Sequence, residues 1–228
     1  MRYNQPVDFT DIIAEPLPDF YFNNGAEERQ EEGTLRVLSL FSGCGGMDIG
    51  LEGGFICHRK SAGRKEWIER NVNEDWVLLR RNLFRTVFAC DILKDAQQTW
   101  LRYMSRYKVN PEIYHLESIV DLVKQHYAGF DIFPKNIDVV TGGFPCQDFS
   151  VAGKRKGFDS AILHNGERRL NSNIASEETR GKLYMWMKQV IDIVQPKMFI
   201  AENVKGLVSL GDVKEIIQND FSSANGND

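Results

Sequence analysis

Four short apolar runs, at residues 35–41, 86–90, 137–141 and 198–201, each end in something that a packed core does not want. The first runs into a glycine turn, the second into Asp91, the third into a glycine pair and Cys146, and the fourth into Glu202. Between them lie stripes at helical spacing: Leu93, Ala96, Trp100, Met104 and Tyr107, then Leu116, Ile119, Val120, Val123 and Tyr127. A third stripe, Leu183, Trp186, Met187, Val190, Ile191 and Val194, is closed by Pro196, and a short helix is expected near residues 212–220. Strand-like runs alternating with helical stripes predict βαβ units and an α/β fold: a mainly parallel sheet with helices on both faces. Right-handed crossovers put the carboxyl ends of such strands on one side, where ligands gather. The four chemically awkward strand ends are therefore expected to line one crevice.

A chain of 228 residues suits one large domain with appendages. Residues 1–34 hold eight acids against two bases and read as an acidic N-terminal extension. The domain proper spans 35–220. Residues 56–85 are expected to form a partly helical basic insertion carrying Trp67 and Trp76, and 151–178 a polar, basic loop. Residues 221–228 read as a polar tail. Residues 57–85 carry eight bases and four acids, and 151–182 carry seven and four, so an anionic partner is permitted and not demanded.

The cysteines, Cys44, Cys57, Cys90 and Cys146, show no paired spacing, and the four histidines do not cluster. Neither a metal site nor a disulfide framework is suggested, which fits a reducing compartment. No apolar stretch approaches membrane-spanning length and no signal pattern opens the chain, so a cytoplasmic location is expected, with no membrane partner.

Each strand end suits a particular chemistry. The turn Phe41-Ser42-Gly43-Cys44-Gly45-Gly46 lets a backbone approach a ligand closely. A dinucleotide fingerprint would need glycine at position 48, where this chain has Asp48, so a pyrophosphate cofactor is disfavoured and a nucleoside with a zwitterionic tail fits better. Asp91, ending the next strand, is placed to accept ribose hydroxyls. Pro145 fixes the backbone before Cys146, and nearby bases such as Lys154, Arg155 and Lys156 favour a thiolate there. Glu202 follows Ile200 and Ala201, a segment expected to be buried, where a carboxyl group is costly unless hydrogen-bonded or protonated. Taken singly, each feature has a plain alternative: a chain reversal, a buried small thiol, a glutamate satisfied by backbone donors.

Together these stretches resemble the DNA (cytosine-5) methyltransferase family. Leu40-Phe41-Ser42-Gly43-Cys44-Gly45-Gly46 is similar to its S-adenosylmethionine motif, and Gly143-Phe144-Pro145-Cys146-Gln147 with Phe149-Ser150 to its nucleophile motif. Glu202-Asn203-Val204 matches its Glu-Asn-Val motif, and Glu178-Thr179-Arg180-Gly181-Lys182-Leu183 is a variant of Asp-x-Arg-Gly-x-Leu. The resemblance spans residues 35–210 and implies a Rossmann-like methyltransferase fold. It implies that the thiolate of Cys146 adds to C6 of a flipped-out cytosine, while Glu202 holds the N3/N4 edge. Methyl transfer to C5 then yields S-adenosylhomocysteine. By the same resemblance Pro145, Gln147 and Asn203 touch the substrate, and Phe41 through Gly46 with Asp91, Ile92 and Leu183 line the cofactor. Ser118 and Ile119 stand where the family has residues near the adenine. No metal is implied.

The chain departs from the family pattern after Glu-Asn-Val. It has no Gln-x-Arg-x-Arg segment and nothing like a target-recognition region, so the fold is expected to be incomplete at its C-terminal end. The chain is then either one subunit of a two-chain, restriction-modification type methyltransferase acting on duplex DNA with a second protein, which is the favoured reading, or a truncated piece of a longer one. The alternatives are a transfer-RNA cytosine-5 methyltransferase and a catalytically silent partner-binding module. An oxidoreductase ranks last, because of Asp48.

Overall fold

The computed structural model describes residues 33–145, 182–204 and 213–224. Its centre is a sheet of five strands: β1 (Leu35–Leu40), β5 (Phe84–Asp91), β6 (Tyr114–Leu116), β7 (Val139–Gly142) and β8 (Met198–Ala201). Spatially they run β6-β5-β1-β7-β8, and every pairing is parallel. Within this sheet the chain order is third, second, first, fourth, fifth, with the topological switch between β1 and β7. This is the Rossmann-like arrangement, whose crevice lies at the carboxyl ends beside the switch.

Side-chain alternation divides the two faces. Leu38, Leu40, Phe88, Cys90 and Val140 belong to the larger core. Against them pack α3 (Ile119–Tyr127), α4 (Leu183–Val194) and α5 (Val213–Ser222). On the opposite face Ala89 meets Trp100 and Met104 of α2 (Lys94–Met104) and Tyr114. The helix α1 (Gly46–Glu52) packs on β5 beside α2, tied to it through Asp48 and Trp100. Helices therefore cover both faces, as the alternating pattern implied.

Three expectations need correction. Residues 56–85 are chiefly a small antiparallel sheet, β2 (Ile56–His58), β4 (Trp76–Leu79) and β3 (Ile68–Asn71) in that spatial order. Its helical content is two single 3-10 turns, Arg59–Ser61 and Lys65–Trp67. The apolar run Trp76-Val77-Leu78-Leu79 opens on an aromatic and a β-branched residue, which favours a strand, and the Asn73 side chain closes the β3–β4 turn by accepting the Asp75 and Trp76 amides at 3.0 and 2.9 Å. Leu116 is no helical residue: it ends the edge strand β6, and the helix begins only after Ser118, whose hydroxyl accepts the Val120 amide. The segment Ile200 to Glu202 is exposed, not buried, because β8 is the last strand of the sheet among the described residues.

Candidate active site

Strand register aligns the four ends. Leu40 is level with Cys90 on one side and Gly142 on the other, and Gly142 is level with Ala201. The residues that follow, Phe41, Asp91, Gly143 and Glu202, therefore stand in one row along the carboxyl edge. The backbone brings together the glycine turn, Asp91, Gly143 and Glu202, while Cys146 lies outside the described residues.

The glycine turn is held from below and from the side. Phe41, Gly43 and Gly45 take left-handed backbone angles, with φ of 53°, 53° and 88°. Ser42 exchanges bonds with the neighbouring strand: its amide donates to Cys90 O at 2.9 Å, and its hydroxyl accepts the Cys90 amide at 3.2 Å. Asp91 accepts the Gly43 amide on Oδ2 and the Leu93 amide on Oδ1, both at 3.0 Å. Each carboxylate oxygen keeps a further lone pair for another donor. The Tyr114 hydroxyl donates to Gly43 O at 3.2 Å.

A Cβ added at Gly43 or Gly46 would meet nothing within 4 Å, so the turn faces open space on that side. At Gly45 the same atom would lie 2.6 Å from Cδ1 of Trp100. The Asp48 carboxyl turns inward rather than toward the crevice. It is fully buried and accepts the Trp100 indole N–H on Oδ2 at 2.6 Å. Burial pushes its pKa up to about 6, against the lowering effect of the Ser39 and Trp100 hydrogen bonds. Asp48 thus differs from a fingerprint glycine by what it anchors beneath the turn.

Across the switch point Glu202 is tied to β7. Its amide donates to Gly142 O at 2.9 Å, and its Oε2 occupies space 3.3 Å from where a Cβ of Gly143 would be. Met47, in the first turn of α1, reaches the same spot, with Cε at 3.7 Å. The Glu202 carboxyl group, the Gly143 backbone and the start of the helix after the glycine turn are therefore neighbours. Asn203 donates from Nδ2 to Phe144 O at 3.1 Å, which fixes the two segments leading to Pro145 and Val204. Gly142 has no room for a side chain, since its Cβ would come within 2.6 Å of Met187 Sδ.

Cys146, Gln147, the 151–178 stretch and Glu178 to Gly181 lie outside the described residues. Ile92 is exposed at the mouth beside Asp91. Ser118, Ile119 and Leu183 are buried: Ser118 caps α3, and the other two belong to the larger core. Among the described residues no group of His, Cys, Asp and Glu gathers as a metal site. Sequence reasoning placed Trp100 in a helical stripe and passed over Tyr114, Met47 and Met187 as supports of the turn and row. Buried polar atoms aimed at glycines are visible only once the register is known.

The parallel order and the row of strand-end residues define an α/β protein with its distinctive side chains gathered along the carboxyl edge of the sheet. Residues 35–162 and 170–225 match the family described as C-5 cytosine-specific DNA methylase, and the chain belongs to that family. Among curated relatives it is 32% identical over 194 residues to the Type II methyltransferase M.BsuRI of Bacillus subtilis, covering 83% of this chain and 37% of the relative. To M.BspRI of Lysinibacillus sphaericus it is 31% identical, covering 83% and 38%, and to M.Sau96I of Staphylococcus aureus 29%, covering 79% and 29%. The chain spans between 29% and 38% of the length of these relatives.

Proposed function

We propose that this chain carries the methyl-donor site and the catalytic groups of a DNA cytosine-5 methyltransferase. The observation that carries the reading is the shared space of Glu202 and Gly143, three residues before Cys146 and beside the glycine turn. Family membership supports it independently.

The residues present fit S-adenosylmethionine. The open side of Gly43 and Gly46 leaves room for its amino-acid tail, and Asp91 has lone pairs for ribose hydroxyls. Phe41 and Ile92 flank that space in the row, and Gly45 and Cys44 complete the turn. When bound, the donor supplies an electrophilic methyl group. Ser118, Ile119 and Leu183 act at one remove, by fixing α3 and α4 behind the sheet.

The chain's own residues supply the rest. The Cys146 thiolate adds to C6 of the cytosine, its S–C bond forming as the C5–C6 double bond opens toward C5. Glu202 holds the N3/N4 edge and shares a proton with N3, drawing electrons from C6. After C5 is methylated, loss of its proton returns the electron pair to the C5–C6 bond and expels the Cys146 thiolate. Pro145, Gln147 and Asn203 shape the pocket around the base, which must leave the duplex stack to reach it.

Part of the site is proposed to come from a second chain that carries target recognition. Support comes from the edge strand β8, which leaves Met198 and Ile200 exposed. Beside it, Phe144, Phe199, Asn203, Ile217 and Phe221 line a groove of about 600 Å³ against α5. A cytoplasmic restriction-modification setting belongs to the same proposal. No helix among the described residues is long and apolar enough to cross a membrane.

The test is covalent trapping on a duplex carrying 5-fluorocytosine, with labelled S-adenosylmethionine and the second chain present. A stable protein–DNA adduct that disappears in Cys146→Ser is expected. Methyl transfer to transfer RNA and not to duplex DNA would overturn the substrate, and absence of any adduct would overturn the catalytic role.

A further inference from the structure

The glycine turn is the part of the crevice with the least intrinsic reason to hold one shape. Glycines at left-handed angles have more unfolded freedom to lose than any other residue, so something must select the conformation. Four contacts converge on it from the flanking strands and helices. Asp91 takes the Gly43 amide, and Tyr114 donates to the Gly43 carbonyl. Trp100 lies directly under Gly45, and its indole N–H reaches Asp48 in the helix that the turn opens. Trp100 and Tyr114 also pack edge to face, with ring centroids 5.1 Å apart, so they act as one block.

We propose that Trp100, braced by Tyr114 and anchored through Asp48, is a positioning residue that holds the Gly43–Gly46 turn in its donor-binding shape. The inference rests on the reading of that turn as the S-adenosylmethionine site. Two features make Trp100 the centre of the block. Its ring fills the space where any Cβ at position 45 would go, so the backbone cannot sink toward the sheet. Its N–H donates to Oδ2 of the Asp48 carboxyl at 2.6 Å, while the other oxygen, Oδ1, is buried without a partner. Removing that donor leaves a fully buried carboxyl with only the Ser39 side chain to satisfy it, at the helix start where the turn ends. The turn must then move to let water or another donor in.

The test measures binding of S-adenosylhomocysteine by calorimetry to the full chain, with thermal unfolding run alongside. Trp100→Phe keeps a ring under Gly45 and loses only the N–H; affinity about tenfold weaker is expected, the effect of one unsatisfied buried polar group. The double variant Trp100→Phe with Asp48→Leu, which removes both partners, should regain most of the loss. In the assembled enzyme the Trp100→Phe change should raise KM for the donor and leave kcat at saturation close to wild type. Tyr114→Phe, which loses only the bond to Gly43, carries the same test in a milder form should Trp100 variants fail to fold. Wild-type affinity in folded Trp100→Phe or Tyr114→Phe would overturn the proposal. Absence of binding by the wild-type chain would overturn the donor reading itself, and the proposal with it.

Discussion

Gly143 and Glu202 stand face to face at the ends of the neighbouring strands β7 and β8, with Oε2 of the glutamate 3.3 Å from where a side chain of residue 143 would begin. The two are joined through the backbone, because Glu202 N–H bonds to Gly142 O. A methyl group at position 143 would meet the end of a flexible side chain, not fixed backbone, so the carboxylate can yield by a few tenths of an ångström. Gly143→Ala should therefore fold with an almost unchanged urea midpoint. Methyl transfer should drop by about tenfold or more, since catalytic groups tolerate little displacement. Measuring both in one preparation separates the two effects.

Glu202→Gln tests the carboxyl group itself. The amide keeps the shape and can still donate and accept hydrogen bonds, but cannot share a proton with the base. Methyl transfer should fall roughly 100-fold or more, the scale of a lost general acid. Binding of S-adenosylhomocysteine should hold, because Glu202 sits across the row from Asp91 and the open side of the turn.

Asp48 makes the fold's stability depend on pH. Its folded pKa of about 6 lies above the ordinary value of 3.8, so between those values the native state binds more protons than the unfolded chain. Stability is fully present below about pH 4 and is lost as pH rises through about 6, by up to roughly 3 kcal/mol. Asp48→Asn still accepts the Trp100 N–H and carries no charge. It should be more stable than wild type at pH 8 and nearly equal at pH 4, by urea unfolding at both.

Much of this was legible in the sequence, and the reasons are particular. Residues 35–40 and 139–142 are buried central strands, and the apolar runs that mark them end in residues of unusual chemistry. Because parallel strands of one sheet share a direction, those endings had to meet. Residues 56–85 were misread because a short antiparallel sheet rich in Arg and Lys has no long period to detect. The exposure of Ile200 and Glu202 was misread because apolar composition does not distinguish a central strand from an edge. The block under Gly45 escaped because Trp100 and Asp48 are 52 positions apart and only the register brings them together.

Glu52 and Arg81 form the tie between α1 and the small antiparallel sheet. Glu52 is almost wholly buried; it accepts the Arg81 guanidinium on Oε2 and the Thr86 amide on Oε1, each at 3.0 Å. Arg81 also lies over the Tyr107 ring at 4.6 Å, and the Tyr107 hydroxyl donates to Gly53 O at 3.0 Å. Arg81→Met removes the charge partner and leaves the carboxylate buried, which should cost roughly 3–5 kcal/mol. Adding Glu52→Gln should recover a good part, since a neutral amide can still accept the Thr86 N–H. If the double variant were as unstable as the single one, packing of Arg81 on Tyr107 would be the dominant contribution instead.

The edge of β8 offers the sharpest separation of assembly from donor binding. Met198 and Ile200 are exposed there, and an uncovered apolar edge invites pairing with further polypeptide. A lysine placed on such an edge blocks strand addition while leaving a monomeric sheet soluble. Met198→Lys with Ile200→Lys should therefore leave S-adenosylhomocysteine binding at wild-type affinity, because the glycine turn and Asp91 lie on the other side of β7. Association with the proposed second chain, followed by analytical ultracentrifugation, should weaken at least about tenfold, and methyl transfer should fall in proportion unless that chain is added in excess. Unchanged association would mean that the edge is covered by other means and that the second chain, where it binds, docks elsewhere.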